Sequence, residues 1–192
     1  MSKKMDRRIK RTRENIKKAM LELIADKGFQ AVTVRDLTDR AGINRGTFYL
    51  HFQDKYDLLE QCVEEEVQAL FQIMKPKPGE PSTPLNEQAL ERCFQYYWDH
   101  KGFYQTMMGQ VPQLRDLIFK AHREQANKLA EKSKVHPSRL PVDPDIVISY
   151  TLHSMLGVTM WWLENDMPYP PCQMAKQLNW LVSHHVNDLK SF

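Results

Sequence analysis

Val34-Arg35-Asp36-Leu37-Thr38-Asp39-Arg40-Ala41-Gly42-Ile43-Asn44-Arg45-Gly46 runs directly into Thr47-Phe48-Tyr49-Leu50-His51-Phe52. The stretch reads as two short helices joined by a tight glycine turn, the pattern of a helix-turn-helix. Thr33 is placed to N-cap the first helix, Val34 to Arg40, and Asn44 can cap the second. A helix this short is marginal alone, so packing must hold it. Phe48 and Phe52 lie four apart and should point into a small core with Leu37, Leu59 and Met20. The opposite face then presents Asn44, Arg45, Thr47, Tyr49 and His51. Gly46, with no side chain, would let the helix backbone come close to a duplex.

Working outward, Ile16, Ala19, Met20, Leu23 and Ile24 mark one apolar face of a helix over Arg7 to Lys27, which Gly28 should stop. Asp54 should cap a long helix to Met74 with Leu58, Leu59, Cys62, Val63, Val67, Leu70, Phe71 and Met74 as its buried stripe. Lys75 to Pro84 carries four prolines and one glycine, so it reads as a loop. Further helices are expected over Asn86 to His100, Phe103 to Gly109, Pro112 to Lys132, Asp145 to Asn165 and from Pro171 to about Leu189. A second proline-marked loop covers His136 to Pro144. No alternating strand pattern stands out. The fold class is therefore all-α, about nine helices in total. Residues 1–54 read as a three-helix helix-turn-helix domain, 55–74 as a connecting helix, and 75–192 as a ligand-binding and dimerisation domain.

The net charge of +3 is unevenly spread. Residues 1–60 hold 14 Lys and Arg against 9 Asp and Glu, and nine of those basic residues fall in the first 18 positions. The remainder is net −2, so the charge that seeks an anionic partner sits at one end. Cys62, Cys93 and Cys172 are odd in number with no close spacing, which implies neither a disulfide framework nor a metal motif. The N-terminus lacks the apolar core of a signal peptide, and Ile146 to Leu163 is interrupted by five polar or glycine positions. A cytoplasmic protein with no membrane partner is expected.

The first 74 residues resemble the DNA-binding domain of the TetR family of bacterial transcriptional regulators. The likeness rests on Asp26-Lys27-Gly28-Phe29, Ala31-Val32-Thr33-Val34-Arg35-Asp36-Leu37, Ala41-Gly42-Ile43, Gly46-Thr47-Phe48-Tyr49-Leu50-His51-Phe52 and Asp54-Lys55-Tyr56-Asp57-Leu58-Leu59, in order and without a gap. It implies a homodimer whose heads engage a near-palindromic operator in double-stranded DNA, and a body that takes a small-molecule effector. By resemblance Tyr49, His51 and Lys55 contact phosphates, as do Thr33 and Arg35 from the preceding helix and its cap. Asn44 and Arg45 are candidates for base edges, with Gly46 and Thr47 in the same interface; Arg45 tracking phosphate stays open, as does Tyr49 as a core tyrosine. Lys3, Lys4, Arg7, Arg8, Lys10, Arg11 and Arg13 resemble the family's basic arm, or are a solvated tail. A membrane-surface helix is disfavoured, because its apolar face lacks Trp and Phe and is needed by the core.

In the body, aromatic and methionine side chains are dense. Tyr97, Phe103, Tyr104, Met107, Met108, Met155 and Trp161 are candidates for a pocket suited to a largely apolar or aromatic ligand, with ordinary core as the alternative. Met155, Val158, Trp162, Leu178, Leu181 and His185 are candidates for a four-helix dimer contact. The seven histidines include His184-His185, but adjacent helical residues diverge by about 100°, so no metal site and no cofactor is expected. No phosphate loop, nucleophile elbow or His-Glu-x-x-His is present, so no enzyme is expected. The resemblance thus implies a regulator, a repressor released by its ligand; an activator or a partner-dependent regulator without an effector is the alternative.

Overall fold

The computed structural model describes residues 2–81, 86–132 and 142–188, with side chains from Arg7 onward except those of 130–132, 144 and 184–188. Lys3, Lys4, His184, His185 and Leu189 therefore lie outside the described side chains, as does most of the loop expected at His136 to Pro144. Among the described residues there are nine α-helices, one 3-10 turn and no strand. Contacts divide the chain into two compact units, Met1–Glu65 with Thr106–Leu114, and Glu66–Gln105 with Arg115–Phe192. The first division falls inside a continuous helix, after Glu65.

The first unit opens with α1, Ser2–Lys27, followed by a 3-10 turn at Phe29–Ala31. Then come α2 (Val34–Ala41), α3 (Arg45–Tyr49) and the start of α4 (Lys55–Ile73). The basic leader is thus the first turns of α1 and not a separate tail. Ile16, Ala19, Met20, Leu23 and Ile24 are buried along α1, as are Leu37, Phe48, Phe52, Leu58 and Leu59 in the same unit. This is the small core expected from the phenylalanine spacing, extended by Phe29 and Val32. Val34 and Ala41 are half-buried; Thr38 takes an interior place on α2 beside Leu37, its hydroxyl donating to the Arg35 carbonyl at 2.9 Å. Burying a hydroxyl is tolerable once that bond is made.

The second unit holds the end of α4, α5 (Glu87–Asp99), α7 (Leu114–Lys132), α8 (Pro144–Glu164) and α9 (Pro171–Asp188); α6 (Lys101–Gln110) begins in it, and residues 106–110 belong to the first. α5 lies along α9. Trp162 is fully buried, with Phe94 edge-on at 5.2 Å, and its indole N–H donates to the Tyr169 carbonyl at 2.9 Å. It is an interior residue of the single chain, which removes it from the expected dimer contacts; Leu178 is buried likewise. The Arg92 guanidinium donates to the Ile73 and Lys75 carbonyls at 2.9 and 3.0 Å and grips Glu80. It satisfies orphan carbonyls at the end of α4 and pins the described part of the proline-rich loop. Asp99, Glu164 and Asp166 are each engaged: with Gln95, with Arg115, and with Lys101 and Gln105 respectively.

α8 is apolar on most sides, and the stretch Asp145–Glu164 is long and apolar enough by length and composition to cross a membrane. Part of it faces inward through Leu156, Met160 and Leu163, while Ile146 is 60% exposed and Trp161 is exposed too. Leu181 on α9 is also exposed. Between α8 and α9 lies an open groove of about 490 Å³ lined by Val147, Val158, Leu178, Leu181 and Val182 among others.

Candidate nucleic-acid interface

Three short-range bond sets fix the helix-turn-helix. Thr33 and Asp36 form a reciprocal capping box: the Asp36 amide donates to the Thr33 hydroxyl at 3.2 Å, and the Asp36 carboxylate accepts from the Thr33 amide at 2.8 Å. The same carboxylate also accepts from the Thr33 hydroxyl and from the Lys27 ammonium, both at 2.6 Å. Lys27 first, and Thr33 after it, hold the Asp36 pKa well below the ordinary carboxylate range. Gly42 takes the left-handed conformation at φ 65°, which L residues with a Cβ rarely adopt, and so turns α2 into α3. Asn44 caps α3, its carbonyl oxygen accepting from the Thr47 amide at 2.8 Å and the Thr47 hydroxyl at 2.9 Å.

That cap limits what Asn44 can read. Bidentate recognition of adenine needs both a donor and an acceptor on the amide. Here both lone pairs of the oxygen are engaged, so the outward-facing part of Asn44 is its NH₂ donor alone. Thr47 is half-buried with its hydroxyl proton directed at the cap. Arg45 is exposed and donates to the Tyr49 phenol oxygen at 3.1 Å, its guanidinium 5.5 Å from the Tyr49 ring centroid. Tyr49 is 47% exposed and stands edge-on to Phe48, so its ring packs on the core while its hydroxyl faces out. A Cβ built on Gly46 would meet only the Asn44 oxygen, at 3.5 Å. Nothing within the chain requires glycine there.

The two ends of the expected interface behave differently. Arg35 is exposed, with only a loose pairing to Asp39 at 3.7 Å, and can turn to a phosphate. Thr33 has its hydroxyl committed to the capping box. His51 is half-buried, and burial first, then the Arg13 charge, push its pKa below the ordinary histidine range. It can offer a phosphate a neutral N–H at pH near 7, not an ion pair. The Lys55 ammonium donates to the Phe29, Gln30 and Val32 carbonyls at 3.1, 2.9 and 2.8 Å. An ammonium has three N–H bonds, and all three are used. In this arrangement Lys55 ties the start of α4 to the 3-10 turn.

Arg13 is a second brace that sequence reasoning assigned to the arm. It donates to Gln61 at 2.7 Å and Glu65 at 3.1 Å, and its guanidinium lies 4.8 Å from the Phe52 ring centroid. Lys17 also pairs with Glu65. Arg40 pairs with Glu22 and Asp26 at 3.2 and 2.9 Å. Arg7, Arg8, Lys10, Arg11 and Lys18 on α1, with Arg35 and Arg45, are exposed or only loosely paired and stay available to an external anion among the described side chains of the first unit. No spacing signal separates the bracing cations from these, because their partners lie 14 to 52 residues away.

The ligand candidates divide between the units. Tyr97 and Tyr104 are buried edge to face at 4.7 Å, with Phe103 against Tyr104 at 5.2 Å and the Tyr104 hydroxyl donating to Glu66. Burial pushes both tyrosine pKa values up, so both stay neutral. Met155 is half-buried and Trp161 exposed on α8. Met107 is buried and Met108 half-buried in the first unit. None of the seven lines the α8–α9 groove. Among the described residues no group of three or more His, Cys, Asp or Glu is disposed to hold a metal.

Comparison with known proteins bears on both units. Residues 16–62 match the family model described as bacterial regulatory proteins, tetR family, and residues 86–184 match one described as a transcriptional regulator C-terminal region. The uncharacterized HTH-type transcriptional regulator YxbF of Bacillus subtilis (strain 168) is 25% identical over 88% of this chain and 44% of its own length. The HTH-type transcriptional repressor KstR2 of Mycolicibacterium smegmatis is 36% identical over 31% of this chain and 29% of its own. The chain spans less than half the length of the curated relatives it matches. The solved structure of a TetR transcriptional regulator from Streptococcus agalactiae 2603V aligns with a TM-score of 0.62 at 21% identity, covering 95% of this chain and 99% of its own. With the capped helix-turn-helix matching one model and over half of the chain matching the other, the protein belongs to the TetR family of bacterial regulatory proteins.

Proposed function

We propose that the chain is a sequence-specific, DNA-binding transcriptional regulator that acts as a homodimer. We further propose that it is a repressor released from a near-palindromic operator by a small, largely apolar or aromatic ligand. The observation that carries the reading is the outward face of α3. A buried Phe48 fixes the helix, while Arg45, Tyr49 and the Asn44 amide stand outside it and Gly46 leaves the backbone open to close approach. Arg35 flanks this face from α2, and Arg7, Arg8 and Arg11 supply phosphate-seeking charge from α1. The reading has the chain in the cytoplasm with its DNA and gives it no catalytic role.

The exposed apolar residues of α8 and α9 support a second copy as partner: Ile146 and Leu181 border a groove of hydrocarbon that a self-complementary face would cover. Two heads about 34–36 Å apart would then meet successive major grooves. The aromatic cluster of Tyr97, Phe103 and Tyr104 supports an effector site in the body. An effector would act only by preferring one arrangement of the dimer over another. Selection from randomised duplex DNA at two salt concentrations tests the reading. An inverted repeat with half-sites one helical turn apart is the expected result; sequence-blind binding would overturn it.

A further inference from the structure

We propose that Leu50 is a specificity residue of this interface, reading the 5-methyl group of a thymine in the major groove. The inference rests on the DNA-binding reading above and adds to it a residue and the chemical feature it recognises.

Leu50 belongs to the reading helix although α3 is assigned only to Tyr49. Its backbone stays helical at φ −72° and ψ −19°, and its amide donates to the Gly46 carbonyl at 3.2 Å. The next turn continues through the Phe52 amide, which donates to the Phe48 carbonyl at 3.0 Å. Helical geometry therefore applies from Gly46 to Leu50. Taking the buried Phe48 as the inward direction, Gly46 lies about 160° and Leu50 about 200° around the axis. These two positions form the ridge aimed most directly away from the core.

On that ridge Gly46 contributes no side chain, so Leu50 is the part that projects. It is 83% exposed, the most exposed of the large apolar side chains described. A lone exposed leucine elsewhere on a surface needs no account. Here its surroundings are selective. The hydrogen-bonding pair Arg45 and Tyr49 stands on one flank, and Thr47 and His51 stand on the other. An isobutyl group flanked by the Arg45 and Tyr49 donors matches one target in the major groove, because the thymine methyl is the apolar feature that base pairs display there.

The test uses the full chain and the duplex it selects. Each thymine of the site is replaced in turn by deoxyuridine, which lacks only the methyl and keeps its pairing edge. The wild-type chain should lose about fourfold in affinity at one thymine per half-site, the worth of burying one methyl at ~0.8 kcal/mol. Leu50→Ala should bind the thymine site about as weakly as wild type binds the uracil site, and no longer distinguish the two. An unchanged melting midpoint checks that Leu50→Ala keeps its fold. Wild type that selects a site yet is indifferent to uracil throughout overturns the Leu50 assignment alone, as does discrimination retained in Leu50→Ala. Wild type that selects no sequence at all overturns the DNA-reading proposal and this one with it.

Discussion

The Arg45 guanidinium donates to the Tyr49 phenol oxygen across one turn of α3, at 3.1 Å, and lies 5.5 Å from that ring's centroid. The phenol therefore steers the guanidinium as well as offering its own hydroxyl. Arg45→Ala should relax base preference at one position per half-site, at a cost of about 1–3 kcal/mol for the preferred base. Tyr49→Phe should weaken binding to all sequences and also blunt the preference at the Arg45 position. Randomised-site selection with each variant reads both effects. A sharp, unaltered preference in Arg45→Ala would reassign Arg45 to the phosphate backbone.

Gly46→Ala separates folding from binding. The added methyl meets only the Asn44 oxygen at ordinary contact distance, and alanine is the better helix former. The melting midpoint should hold or rise, while operator affinity should fall about tenfold or more, equivalent to ~1.4 kcal/mol. Fluorescence anisotropy on the selected duplex, alongside thermal denaturation, measures the two. Full affinity in the alanine variant would mean that the duplex does not approach α3 at this point.

Lys55→Met strips three carbonyls of their shared donor. The expected loss is about 1–2 kcal/mol of stability in the head, since solvent can reach part of the site. The slope of binding affinity against salt should stay as in wild type, because an ammonium that serves the fold displaces no counterions from DNA. A slope shallower by about one would instead identify Lys55 as a phosphate ligand.

Acid should act on the head through Asp36. Its folded-state pKa is depressed, by Lys27 first and then by Thr33, below an unfolded value of about 3.9. The stability it contributes is present above that value and is lost as pH falls through the folded pKa. Asp36→Asn should therefore be less stable than wild type near neutrality, and the gap should narrow as pH drops below about 4. Denaturant midpoints of the two proteins across that range check it. A gap that stays constant would show that the carboxylate's charge is immaterial and its shape alone matters.

Paired charges should split the proposed dimer. Ile146→Glu with Leu181→Glu places carboxylates at the rim of the α8–α9 groove without touching the buried side chains of either helix. Burying an unpaired carboxylate in an apolar contact costs several kcal/mol. Sedimentation equilibrium should report a halved mass with helical content unchanged. A mass equal to that of wild type would place the partner elsewhere.

Much of the head was legible because its determinants are local. Thr33, Gly42, Asn44 and Asp54 act on groups two to four residues away, and the four-residue spacing of Phe48 and Phe52 marks the inward face. Other features left no such trace. The 3-10 turn at Phe29–Ala31 has no periodicity to detect. Asp166 and Met167 adopt left-handed backbone at φ 63° and 56° after α8, where no glycine announces it. The roles of Arg13, Lys27 and Lys55 depend on which distant chain segment folds against them. Periodicity says which face is outside; it does not say which outward polar groups are already engaged by their own chain. For the same reason Leu50, polar neighbours on both sides, escaped notice in the sequence although its angle from Phe48 was available.

The ridge formed by Gly46 and Leu50 holds up nothing in the head: one position has no side chain and the other is mostly in solvent. Substitutions there leave the core, the caps and the bracing cations intact. After a gene duplication, a copy of this chain could change its preferred site through those two positions with no period of instability to survive. Divergence of regulatory wiring would then be limited by the supply of mutations and not by the need for a compensating change elsewhere in the fold.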